Sequence, residues 1–223
     1  SIFEFVKRAG ISKAYSLVDI RLLEHCIREE LNMTAERKIA VLDPLKVTIT
    51  NYEDGKVEYF DVSNNPNDEA AGTRKVPFTK TIYVEKSDFM EEPVAKFHRL
   101  KPDGEVRLMG AYIVKCNEII KDGSGRITEI HCTADLEASN GNPLDGRKIK
   151  GTIHWISAKH AEKCTVKLYE KLFTIENTGD IPEDKTYDDY LNTSSVVRLE
   201  GCKVEPMLAD SEAGERFQFV RTG

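Results

Sequence analysis

Apolar residues recur along this chain with two different periods. Over residues 2–9, Ile2, Phe5, Val6 and Ala9 fall at helical spacing, and Gly10 is placed to cap the end. Over residues 17–31, LVDIRLLEHCIREEL, the side chains of Leu17, Ile20, Leu23, Ile27 and Leu31 form one stripe, with Glu24, Arg28, Glu29 and Glu30 largely outside it. Both segments predict amphipathic helices, a small helical unit whose apolar stripe packs on something else.

From Arg37 onward the period shortens to that of strands. AVLDPLKVTITNY predicts a strand, an Asp-Pro break and a second strand, and NYEDGKVEYF predicts a hairpin about Asp54-Gly55. KTIYVEK, EVRLMGAYIVKC, RITEIHCTAD, IKGTIHWIS and CTVKLYEKLF continue in the same style. Asp122-Gly123-Ser124-Gly125 joins two of them, Asn140-Gly141-Asn142-Pro143 opens a longer loop, and KHAEK has room for one helical turn. In EVRLMG, Val106 and Leu108 share one face, and Arg107 and Met109 the other. In GTIHWIS only one of two neighbours can face a core, and Trp155 is the candidate, which leaves His154 on the opposite face. At the end of the chain Phe217 and Phe219 alternate with Arg216, Gln218 and Val220, a strand with one buried face. The loop 63–77 and the acidic stretch 177–195 are the least regular segments. Many short strands with close turns and few helices predict a mainly β fold of antiparallel barrels or sandwiches.

Composition narrows the class. The 223 residues are 40% hydrophobic and 31% charged, enough apolar material for a sizeable core. No apolar run approaches the ~20 residues that span a membrane, and the opening SIFEFVKRAG reads as an amphipathic helix rather than a signal peptide. The chain starts on Ser1 and stops on Thr222-Gly223 just after a strand, which reads as a piece trimmed on both sides. Five scattered cysteines without a C-x-x-C argue for free thiols in a reducing cytoplasm. His131, Cys132, His154, His160 and Cys164 lack finger-like spacing, so no metal site is assigned. The net charge of −6 hides a split: Asp145 to Lys171 carries seven Lys/Arg against three Asp/Glu, and Glu176 to Glu215 eleven Asp/Glu against three Lys/Arg. Phosphate attraction acts within a Debye length of roughly 8 Å, so a locally basic face on an acidic protein is compatible with RNA.

Convergent enzyme chemistry is not visible. G-x-x-x-x-G-K-[ST], G-x-S-x-G and H-E-x-x-H are all missing, and no nucleophile pattern accompanies His154. Polar groups on strands are more informative. Arg37, Arg99 and Arg107 offer planar donor forks, and Gln218 both donates and accepts, the functions that read the edges of unstacked bases.

RKIAVLDPLKVTITNY, NNPN, RKVPF, EVRLMGAYIVKC, DGRKIKGTIHWIS, LYEKLF and RFQFVR, in this order, resemble the anticodon-binding region of the glutaminyl-tRNA synthetases, class I aminoacyl-tRNA synthetases. The resemblance extends to the helical lead-in LEHCIREELN. It implies a helical connector (1–36), a proximal ribosomal-protein-like barrel (37–93 and 180–223) and a distal one (94–179), with the acidic stretch on the return path. It further implies binding of the glutamine tRNA anticodon loop. Arg37 and Gln218 would contact the central U, Arg99 the final G and Arg107 the first base, with Asn67 supporting the extended stem and Arg221 at another matching position. Met109 stands where a bacterial pattern has a second arginine, implying looser discrimination at the first base. His98 replaces a lysine beside Arg99. Strict alternation sets Gln218 and Arg221 on opposite faces, so both reach RNA only with a bulge or twist, or because Arg221 is long.

The implied whole protein is a cytoplasmic, monomeric glutamine-activating ligase using ATP and Mg²⁺. This chain lacks the HIGH-like and KMSKS-like motifs of the catalytic domain and should be inactive alone, with no cofactor of its own and no membrane or DNA partner. Two neighbouring readings are an archaeal or eukaryotic-type glutamyl-tRNA synthetase and a free-standing ribosomal RNA-binding protein on the same barrel.

Overall fold

The computed structural model describes residues 1–14, 16–138 and 141–221. Asn140, at the start of the predicted loop, and the terminal Thr222-Gly223 lie outside them. The chain forms two compact units, one of residues 36–164 and 201–223 and the other of residues 1–35 and 165–200.

The strands follow in chain order: β1 (Glu36–Lys38), β2 (Ala40–Val41), β3 (Pro44–Ile49), β4 (Glu58–Ser63), β5 (Thr73–Phe78), β6 (Thr81–Glu85), β7 (Glu105–Leu108), β8 (Ile113–Lys121), β9 (Ile127–Asp135), β10 (Thr152–Ile153), β11 (Trp155–Ser157), β12 (Glu162–Tyr169), β13 (Val196–Val204) and β14 (Phe217–Phe219). Seven of them form one sheet in the order β10-β7-β8-β9-β3-β6-β11. Its two edge strands, β10 and β11, are consecutive in the chain and separated by His154 alone. A sheet whose edges meet across one residue must curl on itself, and the result is a nearly closed barrel, which suppresses exposed edges. The mainly β, barrel-like fold expected from the sequence is present. Most pairings are antiparallel, but β3–β9, β7–β10 and β1–β14 run parallel.

Alternation builds the core. Along β3, Leu45, Val47 and Ile49 turn inward while Lys46 and Thr48 face out and bond Glu129 on β9 at 3.0 and 2.6 Å. Tyr52, Phe60, Phe78, Tyr112 and Trp155 pack edge to face at the centre, with ring centroids 5.0 to 6.3 Å apart. Each such side chain contributes about 1.5–3 kcal/mol by leaving water.

Two local expectations are corrected. The Asp54-Gly55 turn does not close a β3–β4 hairpin: β3 is already paired on both sides, with β6 and β9, and β4 pairs with β5 instead. EVRLMGAYIVKC is two strands, because Gly110 adopts φ 69° and Leu108 accepts from the Ala111 amide, folding β7 back on β8. His154 is buried too, but on the side opposite Trp155, as alternation predicts: Ile153 and Trp155 join the main core, whereas His154 faces Asp88, Arg221 and the Ala40 backbone. Strands β3 and β6, from the segment expected to form the proximal barrel, share the large sheet with β7 to β11, from the segment expected to form the distal one.

In the other unit, α1 (Ile2–Ala9) ends at Gly10 as expected. Helix α2 (Ile20–Thr34) begins three residues later than Leu17, because the Asp19 side chain accepts from the Arg21 amide at 2.9 Å and caps it there. The acidic return stretch is not shapeless. It contains single-turn helices at Thr178–Asp180 and Tyr187–Tyr190, the latter opened by a capping box of Thr186 and Asp189. Among the described residues no helix is long and apolar enough to cross a membrane.

Candidate nucleic-acid interface

The short parallel pair β1–β14 organises the site. In its register Arg37 lies directly opposite Gln218, between the pairs Glu36–Phe217 and Lys38–Phe219. Register partners in a sheet project to the same side, so the two polar side chains aim together. The opposite face is committed elsewhere: Lys38 is buried, with its ammonium 2.7 Å from Glu36 and over the Phe217 ring at 5.6 Å. That arrangement holds Arg37 outward.

Arg37 and Gln218 line a cavity of about 350 Å³, together with Phe219, Val220, Arg221, Met109, Gly110 and the β4–β5 elements Asp61, Ser63, Pro66 and Arg74. A space of this size with an apolar wall and a few converging donors suits a flat ring system. The strand ends at Phe219, and Arg221 takes a left-handed backbone with φ 69°. This twist is what lets Arg221 share the cavity with Gln218 despite their opposite places in strict alternation.

The cavity floor is an ion pair that sequence reasoning missed. Arg74 grips Glu205 at 2.6 and 2.5 Å, both nearly inaccessible, and Glu205 also accepts from the Ile39 amide at 2.6 Å. The amide links the pair to the chain just after β1. Breaking one partner of such a pair costs about 3–5 kcal/mol, because the other charge is left buried and alone. Arg74 is thereby neutralised, and Asp61 is bridged by Lys75 at 2.7 Å.

The remaining sequence-derived candidates fall in different places. Arg99 is exposed on the segment after Pro93, with its Nη1 donating to the Ser87 carbonyl at 3.2 Å and lying 3.3 Å from Asp88. Arg221 donates to the same buried Asp88 from its own Nη1. Arg99 therefore joins the cavity group through a carboxylate that nothing in the sequence marks out. Arg107 is not in the cavity: it projects from β7 on the face away from Val106 and Leu108, and its Nε donates to the Gly141 carbonyl at 2.6 Å. Asn67 is exposed on the turn after β4, one residue beyond Pro66 of the cavity rim, and its amide donates to Asn65 Oδ1 at 3.0 Å. His98 is exposed, and its carbonyl is packed against Gly151 so closely that an added Cβ there would sit 1.6 Å from the oxygen.

His154 stands behind this cluster. Both ring nitrogens are buried without a hydrogen bond in ordinary geometry. Burial pushes its pKa below the usual histidine range. Asp88 and the Ala40 backbone oppose that shift, and Arg221 and Arg99 reinforce it. Among the described residues no group of three or more His, Cys, Asp or Glu is arranged to hold a metal.

The geometry can be set beside known proteins. A family model described as tRNA synthetases class I (E and Q), anti-codon binding domain, matches residues 35–135, and a second model of the same description matches residues 152–223. The chain belongs to this family. Its members' anticodon-binding domains include those of glutamine–tRNA ligases, and this chain is 47% identical over 223 residues to the one from Rhodopirellula baltica, covering 100% of this chain and 37% of that protein. The enzyme from Aliivibrio salmonicida is likewise 47% identical over 223 residues, with 40% of it covered. That of Bradyrhizobium diazoefficiens is 46% identical over 220 residues, with 39% covered. The chain thus spans about two fifths of the length of these ligases, the part that carries their anticodon-binding domains.

Proposed function

We propose that this chain is the anticodon-reading part of a glutamine–tRNA ligase, a cytoplasmic monomer whose intact form attaches glutamine to its tRNA using ATP and Mg²⁺. In this reading ATP and Mg²⁺ act in the catalytic part, outside these residues. The observation that carries the proposal is the pairing of Arg37 with Gln218 in one cavity that Arg221 completes. A guanidinium and a carboxamide side by side carry both donors and an acceptor, the equipment for reading an unstacked uracil once the Gln218 amide, whose Oε1 is buried, turns toward it. Arg37 and Gln218 read the central U, Arg99 serves the final G and Arg107 the first base, and Asn67 supports the stem.

A synthetic glutamine-type anticodon stem-loop tests the reading. The chain should bind it more tightly than a loop changed at the central base by about 5- to 150-fold, the range of one good bidentate contact. Equal affinity for the two loops would refute the assignment. The family description covers glutamate as well as glutamine enzymes. The glutamine–tRNA ligases at 46–47% identity favour glutamine. Preference for a glutamate-type loop would reverse that choice.

A further inference from the structure

Asp88 ends a single-turn helix, Lys86–Asp88, and is completely buried. Two arginines from distant parts of the chain converge on it. Arg221 Nη1 donates to both carboxylate oxygens, and Arg99 Nη1 lies 3.3 Å from Oδ1 while donating to the neighbouring Ser87 carbonyl. A carboxylate withdrawn from water needs a cation to stay ionised, so the three side chains determine one another's positions. Arg221 in particular follows the last strand in a left-handed conformation that a non-glycine residue keeps only when its surroundings hold it. Each guanidinium uses Nη1 for this task. Nε and Nη2 of both arginines remain for a ligand, with one net positive charge over the three groups.

We propose that Asp88 is a positioning residue for RNA recognition, a buried clamp that fixes Arg99 and Arg221 as one unit and so couples the Arg37–Gln218 cavity to the site of the neighbouring anticodon base. The inference rests on the functional reading above. Asp88 touches no RNA itself. It orients two forks that would otherwise sample many rotamers, and ordering them before binding lowers the entropic cost of the encounter.

The test is a double-mutant cycle on the 223-residue chain, with binding of the glutamine-type stem-loop and of its central-base and final-base variants measured at fixed salt. Arg99→Ala and Arg221→Ala should each weaken binding, and the double variant should be at least about fivefold tighter than the product of the two losses predicts. Asp88→Asn should weaken binding about tenfold and blunt discrimination at both bases. This effect should disappear in the Arg99→Ala/Arg221→Ala background, which a purely structural role would not bring about. Additive arginine losses overturn the proposal, even if Asp88→Asn fails to fold. So does an Asp88→Asn loss that persists undiminished without the arginines. A wild-type chain blind to the central and final bases would instead overturn the functional reading, and the clamp with it.

Discussion

The two units use similar apolar patterns to very different ends. In the barrel unit, Phe78, Ile82, Leu108, Ile130, Ile153 and Trp155 are wholly buried, and their rings and branches fill one continuous core. In the helical unit, Cys26 and Ala35 are the buried apolar residues among those described, while Phe3 is 94% exposed, Ile11 97% and Leu17 68%. Leu17, Val18, Ile20, Leu172, Phe173 and Val197 line an open groove of about 1350 Å³ within that unit. A barrel satisfies its own backbone and covers its own inner face, so every inward residue finds partners. Two helices and a return segment offer each other one stripe apiece and leave the rest uncovered. Stability is therefore concentrated in one unit, and the candidate reading residues sit there.

The largest perturbation should come from the barrel core. Phe78→Ala removes a ring packed against Tyr52, Phe60, Tyr112 and Trp155, and it should cost about 3–5 kcal/mol. Trp155, the single tryptophan, reports this directly as a lowered urea midpoint in fluorescence. A change of similar size from a helical-unit substitution would erase the contrast between the units.

Gly151→Ala comes next. Its new methyl would meet the His98 carbonyl, a backbone group that cannot swing aside. Overpacking of this kind costs about 1–3 kcal/mol, and the displaced 98–99 segment should carry Arg99 with it. The expected signature is weakened discrimination at the final anticodon base with the central base still read, measured on the same stem-loop variants.

A smaller effect concerns pH. His154 is held below its ordinary pKa by burial, with Arg221 and Arg99 adding to the shift against Asp88 and the Ala40 backbone. The unfolded chain then binds a proton that the folded one refuses. The stability contribution is fully present above the unfolded value of about 6.5 and is lost as pH falls below it. Glu85, whose carboxyl burial raises, works in the opposite sense toward the acid end, so the comparison with His154→Gln isolates the histidine. Urea midpoints measured from pH 7.5 down to 5.5 should fall more steeply for the wild type than for this variant. Parallel profiles would contradict the account. At the bottom of the scale, Phe3→Ala should change stability by no more than about 0.5 kcal/mol, as seen by thermal unfolding.

Local chemistry made much of this readable. Helix α1 ends at its glycine, the Asp122–Gly125 turn joins β8 to β9, and Val106 and Leu108 face in while Arg107 faces out. These features depend on a few adjacent residues. The Asp54-Gly55 hairpin failed for the same reason: a turn signal shows that the chain reverses, but not whether the strand it leaves already has neighbours on both edges. The family resemblance named Arg37, Gln218 and Arg221, and the fold gathers them into one cavity. Asp88 and Glu205 carried no signal, and Arg74 stood within the matching stretch RKVPF with no role attached. A charged residue in an ordinary loop or strand looks solvated until the groups packed around it are known.

By itself, then, the sequence determined the class of the fold, most of the strands and the chemistry available for reading a base, while β5 falls largely in a loop read as irregular and β13 in a stretch left unassigned. Only the tertiary structure decided that β10 and β11 bring the sheet nearly to closure across His154, and that Arg221 twists to the side of Gln218. It alone also placed a buried carboxylate behind two arginines 122 positions apart in the chain, Arg99 and Arg221. The reason is one of range. Periodicity and turn propensity act over a few residues, whereas burial and charge pairing depend on which distant segments the nearly closed barrel brings together.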